Sequence, residues 1–96
     1  MPLFHFIGLD KPGALQVRLD ARPAHLEYVT PFVRLGGPLL DDQGQPMGSA
    51  MIVEADSLED AKAKLAEDPY AKAGLFESTA LRPWRMGIGT LPGYEG

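Results

Sequence analysis

The run Val33-Arg34-Leu35-Gly36-Gly37-Pro38-Leu39-Leu40-Asp41-Asp42-Gln43-Gly44-Gln45-Pro46-Met47-Gly48-Ser49-Ala50-Met51-Ile52-Val53-Glu54-Ala55 decides the fold. Its two apolar halves flank Asp41 to Pro46, a polar stretch with hairpin-loop chemistry, so it predicts two antiparallel strands in succession. The first, Val33 to Leu40, is interrupted by Gly36 and Gly37, which suggests a bulge or a place where another group approaches the backbone closely. In the second, Met47 to Ala55, Ser49, Met51, Val53 and Ala55 alternate with Ala50, Ile52 and Glu54, and both faces read as mostly apolar.

A helix is expected on each side of this hairpin. Upstream, Leu15, Leu19, Arg22, Leu26, Val29 and Val33 recur at spacings of three and four, an apolar stripe of about five turns that should face a core. Asp10-Lys11-Pro12-Gly13 precedes it, with Asp10 placed to cap the helix and Pro12 tolerated in its first turn. Pro23 and Pro31 fall inside the stripe and predict kinks; alternatively, Thr30-Pro31 ends the helix. Downstream, Ser57 with Asp60 three residues on is a variant of the capping box, and Leu58, Ala61 and Leu65 form the buried stripe of a short helix reaching about Glu67. Asp68-Pro69 stops that helix, and Pro69 to Ala73 can add one turn, capped by Asp68 and ended by Gly74.

The outer strands are Leu3 to Leu9 and Phe76 to Trp84, the latter with Phe76, Ala80 and Trp84 on one side and Leu81 on the other. Strand, helix, strand, strand, helix, strand is the split βαβ order: an α+β, ferredoxin-like βαββαβ fold, a four-stranded antiparallel sheet with two helices on one face. This domain should span residues 1–85, with 86–96 a tail rich in glycine and proline. Strands apolar on both faces leave the open face in need of cover, and a homodimer packed sheet to sheet is the simplest answer.

Composition narrows the function classes. With 96 residues the chain is one small domain. A net charge of −4 without a basic cluster argues against nucleic acid and an anionic membrane surface. No cysteine is present, which removes disulfides, thiolate metal sites and a cysteine nucleophile together. Neither a signal peptide nor a transmembrane span is legible, so a cytoplasmic protein is the expectation. The 2 histidines, His5 and His25, sit on a strand and a helix with no His-x-x-x-His or paired-carboxylate spacing, so no metal ligand set is expected.

One group of residues suggests a site. At 100° per residue, Arg18, Arg22 and His25 lie within about 80° of one another on the first helix. Two nearby cations disfavour imidazolium, so His25 is expected to titrate below the usual value of roughly 6.5 and to be able to accept a proton, unless a carboxylate offsets them, while the arginines could hold an anion. On spacing alone, a half-buried histidine beside snorkelling arginines is the stronger account. The same holds elsewhere. A helix cap explains Asp68, a cap also explains Asp10, a backbone hydrogen bond satisfies Ser49, and Tyr70 reads as a half-buried lid.

Arg18 with Arg22-Pro23-Ala24-His25-Leu26, Gly37-Pro38, Gly48-Ser49, Asp68-Pro69-Tyr70-Ala71-Lys72-Ala73-Gly74-Leu75-Phe76 and the closing Arg82-Pro83-Trp84, in this order, resemble the YciI-like family (YCII-related domain). The resemblance implies a dimeric α+β barrel and an active site built on a histidine and an aspartate. The histidine carries over to His25; Asp68 is the first choice for the aspartate and Asp10 the second. Arg22 and Ser49 match cavity positions, and Arg18 or Arg22 would hold an anionic oxygen. The implied chemistry is general acid/base work of lyase, isomerase or dehalogenation type on a small polar or cyclic organic molecule, which needs no cofactor. The competing class is a non-catalytic homodimer that binds a metabolite or serves another protein.

Overall fold

The computed structural model describes residues 2–91. Its elements are β1 (Leu3–Asp10), α1 (Leu15–Val29), β2 (Val33–Leu40), β3 (Pro46–Glu54), α2 (Leu58–Ala66), α3 (Pro69–Lys72) and β4 (Phe76–Trp84). The sheet order is β2-β3-β1-β4, antiparallel at every pairing. This is the α+β, ferredoxin-like arrangement expected from the hairpin, with the short α3 as a third helix.

Strand alternation assigns the two faces. Phe4, Phe6, Met51 and Val53 point to the helices and form the main core with Val29 of α1, Phe32, Ala55, and Ala61 and Leu65 of α2. On the other face Leu3 and Ile52 are covered by Met86 and Leu91, so the segment after β4 folds back over one end of the open sheet. Leu9, Leu35 and Trp84 remain exposed there. The remainder of the tail, 92–96, lies outside the described residues. Among the described residues no helix is long and apolar enough to cross a membrane.

Local expectations for β4, β2 and the end of α1 are revised. The register of β4 shifts between Ser78 and Phe76, a bulge that leaves Glu77 extra; Phe76 and Leu81 therefore both pack on the main core instead of facing opposite ways. In β2 the irregularities fall at Val33/Leu35 and Leu39/Leu40, flanking the glycine pair without including it, while the close approach expected as the alternative is found at Gly36, against Met51. At Pro31 the alternative reading holds: α1 ends at Val29, with Thr30 as C-cap donating its amide to Leu26 O, so Pro31 does not kink it. Only Pro23 lies inside the helix, where it removes the amide that would bond Leu19 O.

The largest correction concerns the face of α1. Its buried residues are Arg18, His25 and Val29, whereas Leu15, Leu19 and Leu26 are 37, 48 and 42% exposed. The leucines of the apolar stripe do not rest on the sheet; only its far end does, where Val29 joins the main core and Val33 packs against it. α1 packs chiefly against α3, and the polar flank is the side turned inward. Asp10 does not cap α1 either: the N-cap is Ala14, without a side-chain bond, and the Asp10 carboxylate is engaged by Arg18.

Candidate functional site

Two buried polar pairs hold α1 in place. In the first, Arg18 donates to both oxygens of Asp10, Nε to Oδ2 at 2.7 Å and an Nη to Oδ1 at 2.8 Å, and the same Nη donates to Ser49 Oγ at 2.8 Å. Both side chains of this ion pair are nearly closed to solvent, at 4% and 6%. Burial works to lower the Arg18 pKa, but the hydrogen bonds and charge of Asp10 outweigh it, so Arg18 is raised from its ordinary value and stays cationic. The sequence brought Arg18 forward as an anion holder. Its Nε and one Nη are engaged by Asp10 and Ser49, which makes it a fixed positive strut from α1 to β1 and β3 at the cavity wall.

In the second pair, His25 Nδ1 lies 2.7 Å from Asp68 Oδ1. Asp68 is the N-cap of α3, and the same Oδ1 accepts from Tyr70 N at 2.9 Å. The cap and the histidine partner are thus one atom, and the two readings of Asp68 do not compete. Because that oxygen already accepts from an amide, the proton in the His25–Asp68 bond belongs on Nδ1, which leaves Nε2 as the ring nitrogen that can gain or lose one. His25 is midway along α1, yet reach is no obstacle, since α3 packs against that part of the helix. Gly74, at φ 69°, closes the α3 turn in a backbone conformation that glycine adopts readily.

Tyr70 joins the two pairs. It is not a half-buried lid but a buried residue, 2% exposed. Its ring stacks on His25 with centroids 3.8 Å apart and planes 12° apart, and the Arg18 guanidinium carbon lies 4.7 Å from the ring centre. Burial raises the Tyr70 hydroxyl above its ordinary value, against the opposing charges of Arg18 and Arg22, so the phenol stays protonated at neutral pH.

These groups border a cavity of about 380 Å³ between α1 and the β2–β3 pair. Its polar wall is Arg18, Arg22, His25, Ser49 and Tyr70, and its apolar wall includes Leu19, Leu26, Val33 and Met51. The α1 stripe that the sequence assigned to the core therefore lines this space. Gly36, Gly37 and Pro38 supply the β2 side, and a Cβ on Gly36 would stand 3.0 Å from Met51 Cγ, so this wall has little room for a side chain. Arg22 is exposed and lines the cavity. Asp68 does not border this cavity; it touches a groove behind it, between α2, α3 and β4. Among the described residues no three of His, Cys, Asp and Glu come together as a metal ligand set.

The structure thus gathers Arg18, Arg22, His25, Ser49 and Tyr70 around one space, with Asp68 and Asp10 behind it as partners of His25 and Arg18. Sequence reasoning missed the Asp10–Arg18 pair and the cavity role of Leu19 and Leu26. The available signal was the arginine eight residues past a strand-end aspartate, close enough to fold back over one tight turn.

The comparisons with known proteins follow the same outline. The protein YciI of Escherichia coli O6:H1 strain CFT073 is 32% identical over 102 aligned residues, covering 86% of this chain and 96% of that protein. The derivative of benzaldehyde biosynthesis cluster protein C of Emericella nidulans is 35% identical over 72 residues, covering 62% of this chain and 74% of that one. Among solved structures, the 5-chloro-2-hydroxyhydroquinone dehydrochlorinase TftG from Burkholderia phenoliruptrix AC1100, in complex with 2,5-dihydroxybenzoquinone, superposes with a TM-score of 0.80 at 39% identity, over 88% of this chain and 95% of that one. With a YCII-related domain matched over residues 3–85, which take in every strand and helix from β1 to β4, this chain belongs to the YCII-related family.

Proposed function

We propose that this chain is a small enzyme of proton transfer, in which His25 acts as general acid/base through Nε2 and Asp68 holds the ring in the required tautomer and orientation. The observation that carries this reading is the 2.7 Å bond from His25 Nδ1 to a carboxylate that does not itself border the cavity. A carboxylate behind an imidazole fixes which nitrogen is free and stabilises the imidazolium formed when that nitrogen takes a proton. Arg22 is the cation at the cavity wall placed to receive an oxyanion, while Arg18, held by Asp10 and Ser49, keeps a fixed positive charge beside it.

The substrate class follows from cavity size, wall chemistry and the TftG likeness. About 380 Å³ with one polar and one apolar wall suits a single substituted ring. TftG is a dehydrochlorinase of a chlorinated hydroxyhydroquinone. Such a reaction removes HCl overall: one hydroxyl proton goes to a base as its O–H pair becomes C=O and the ring carbon bearing chlorine takes a proton; a second hydroxyl proton then goes to the base, its O–H pair becomes C=O through the ring, and the carbon–chlorine pair leaves with chloride. It needs a base, a proton donor to carbon and an oxyanion partner, and redox balance is kept within the substrate. A small polyhydroxylated ring, with a leaving group or an enolisable position, is the class proposed here.

The test is chloride release from 5-chloro-2-hydroxyhydroquinone by wild type and His25→Gln, together with spectrophotometric titration of 2,5-dihydroxybenzoquinone. The expected result is turnover by wild type, a loss of about 10²-fold or more in His25→Gln, and quinone binding in both. Quinone binding of equal strength with no turnover by wild type would support instead a non-catalytic metabolite-binding protein.

The proposal includes a homodimer through the open sheet face. Leu9, Leu35 and Trp84 are 39, 62 and 37% exposed on that face, beside the patch covered by Met86 and Leu91. Sedimentation equilibrium should give twice the chain mass of 10.4 kDa, and a monomer at micromolar concentration would rule this out.

A further inference from the structure

We infer that Tyr70 is the positioning residue of the His25–Asp68 pair, its amide fixing the carboxylate and its ring fixing the plane of the imidazole. This deepens the acid/base reading of His25 and rests on it. A single hydrogen bond from Nδ1 to Asp68 Oδ1 leaves the imidazole free to turn about that bond, and turning it swings Nε2 away from a fixed direction. A second contact is needed to remove that freedom. The Tyr70 ring supplies it, lying 3.8 Å from the imidazole and within 12° of parallel. Stacked planes resist tilting because a tilted ring either collides with its neighbour or opens a void.

The platform is itself immobilised. Arg18 stands 4.7 Å from the centre of the Tyr70 ring, and Phe76 meets that ring edge to face at 6.2 Å and 90°. Arg18 is in turn anchored by Asp10 and Ser49, so the orientation of His25 is referred back to β1 and β3. On the main chain, Tyr70 N donates to Asp68 Oδ1, and Tyr70 O accepts from Leu75 N at 3.1 Å. One residue thus fixes both members of the pair, from different atoms.

The role belongs to the ring rather than the hydroxyl, which separates the variants. Tyr70→Phe keeps the ring and the amide; Tyr70→Met keeps similar bulk and the amide but loses the flat surface. With 5-chloro-2-hydroxyhydroquinone as substrate, Tyr70→Met should lose about 10- to 100-fold in kcat with KM little changed, and Tyr70→Phe should lose clearly less than Tyr70→Met. Independently of activity and of whether Tyr70→Met folds, the His25 ring protons should resonate upfield of their unstructured positions in wild type and in Tyr70→Phe, as expected above an aromatic face. Unshifted His25 protons in wild type overturn the inference. So does a kcat in Tyr70→Met equal to that of wild type, or an equal fall in Tyr70→Phe, which would move the role to the hydroxyl. If His25→Gln turns over as fast as wild type, the acid/base reading fails, and the ring-proton shifts still decide whether Tyr70 sets the imidazole plane.

Discussion

Helices α1 and α2 lie over the same sheet face and are built on opposite principles. α2 follows every local rule: Ser57 Oγ accepts from Asp60 N at 3.0 Å, Asp60 accepts from Asp56 N and from Lys64 Nζ, Glu59 and Asp60 lie in the first turn, Lys64 lies in the last, and Ala61 and Leu65 are buried. α1 has no side-chain cap, no acid in its first turn, no base in its last and a proline inside, and it buries Arg18 and His25 while its leucines stay exposed. α2 is secured by apolar packing on the core. α1 is secured by charged and aromatic contacts to Asp10, Ser49, Asp68 and Tyr70, which keeps its leucines off the sheet and leaves a cavity beneath them. Departures from local consistency concentrate where a structure holds a site, and here they fall on one helix.

The sharpest way to break this contrast is Arg18→Met. The substitution leaves the Asp10 carboxylate, 6% exposed, without its counter-charge and Ser49 Oγ without its donor. Removing one partner of a buried ion pair typically costs about 3–5 kcal/mol, and urea unfolding should show a loss of that size. The double variant Arg18→Met with Asp10→Leu should recover much of it, because no charge is then stranded. A loss below about 1 kcal/mol in the single variant would mean that α1 is held by packing after all.

The second test compares leucines. Leu65, 8% exposed in the main core, should cost about 2–5 kcal/mol when cut to alanine, since it leaves a cavity in close-packed surroundings. Leu19, 48% exposed, should cost no more than about 0.5 kcal/mol, while weakening binding of 2,5-dihydroxybenzoquinone through the lost cavity wall. Equal costs at the two positions would show that Leu19 is covered in solution.

The same contrast explains what the sequence could disclose. The hairpin, the capping box at Ser57, the α3 turn between Asp68 and Gly74 and the strand order were legible because each is set by residues close together in the chain. The face of α1 was not. Its leucines recur at core spacing, and periodicity cannot tell a stripe that meets a core from one that lines a cavity; the Arg18–Asp10 and His25–Asp68 bonds that turn the helix are made across 8 and 43 residues. The bulge at Glu77 was equally silent, because an extra residue in an edge strand carries no composition of its own. From the residues alone His25 and Asp68 could be put forward only separately, by a polar residue on an apolar flank and by a cap before proline; the family resemblance paired them, and the packing of α3 on α1 brings them into contact.

The smallest expected effect is a difference in pH response between the two helices, and its sign follows from the charges around each. At α2, the hydrogen bond from Lys64, followed by that from the Asp56 amide, lowers the Asp60 pKa. A carboxyl lowered in the folded chain contributes stability that is present above its unfolded value of about 3.9 and is lost as pH falls through the folded one. Beside α1 the direction reverses, since burial raises Tyr70. Both states keep that phenol protonated below its unfolded value of about 10; above it the unfolded chain releases the proton first, so stability falls as pH rises toward the folded value. Lysines titrate in the same range, so the informative quantity is the difference in melting temperature between wild type and Tyr70→Phe, which cancels them. Across pH 9 to 11 that difference should move steadily against wild type, with a slope of at most about 1.4 kcal/mol per pH unit when expressed as stability. Movement in the other direction would mean that Arg18 and Arg22 stabilise a phenolate more than burial opposes it. The ring beneath His25 would then be an anion in alkaline solution, and its contact with the imidazole would be governed by charge instead of by stacking.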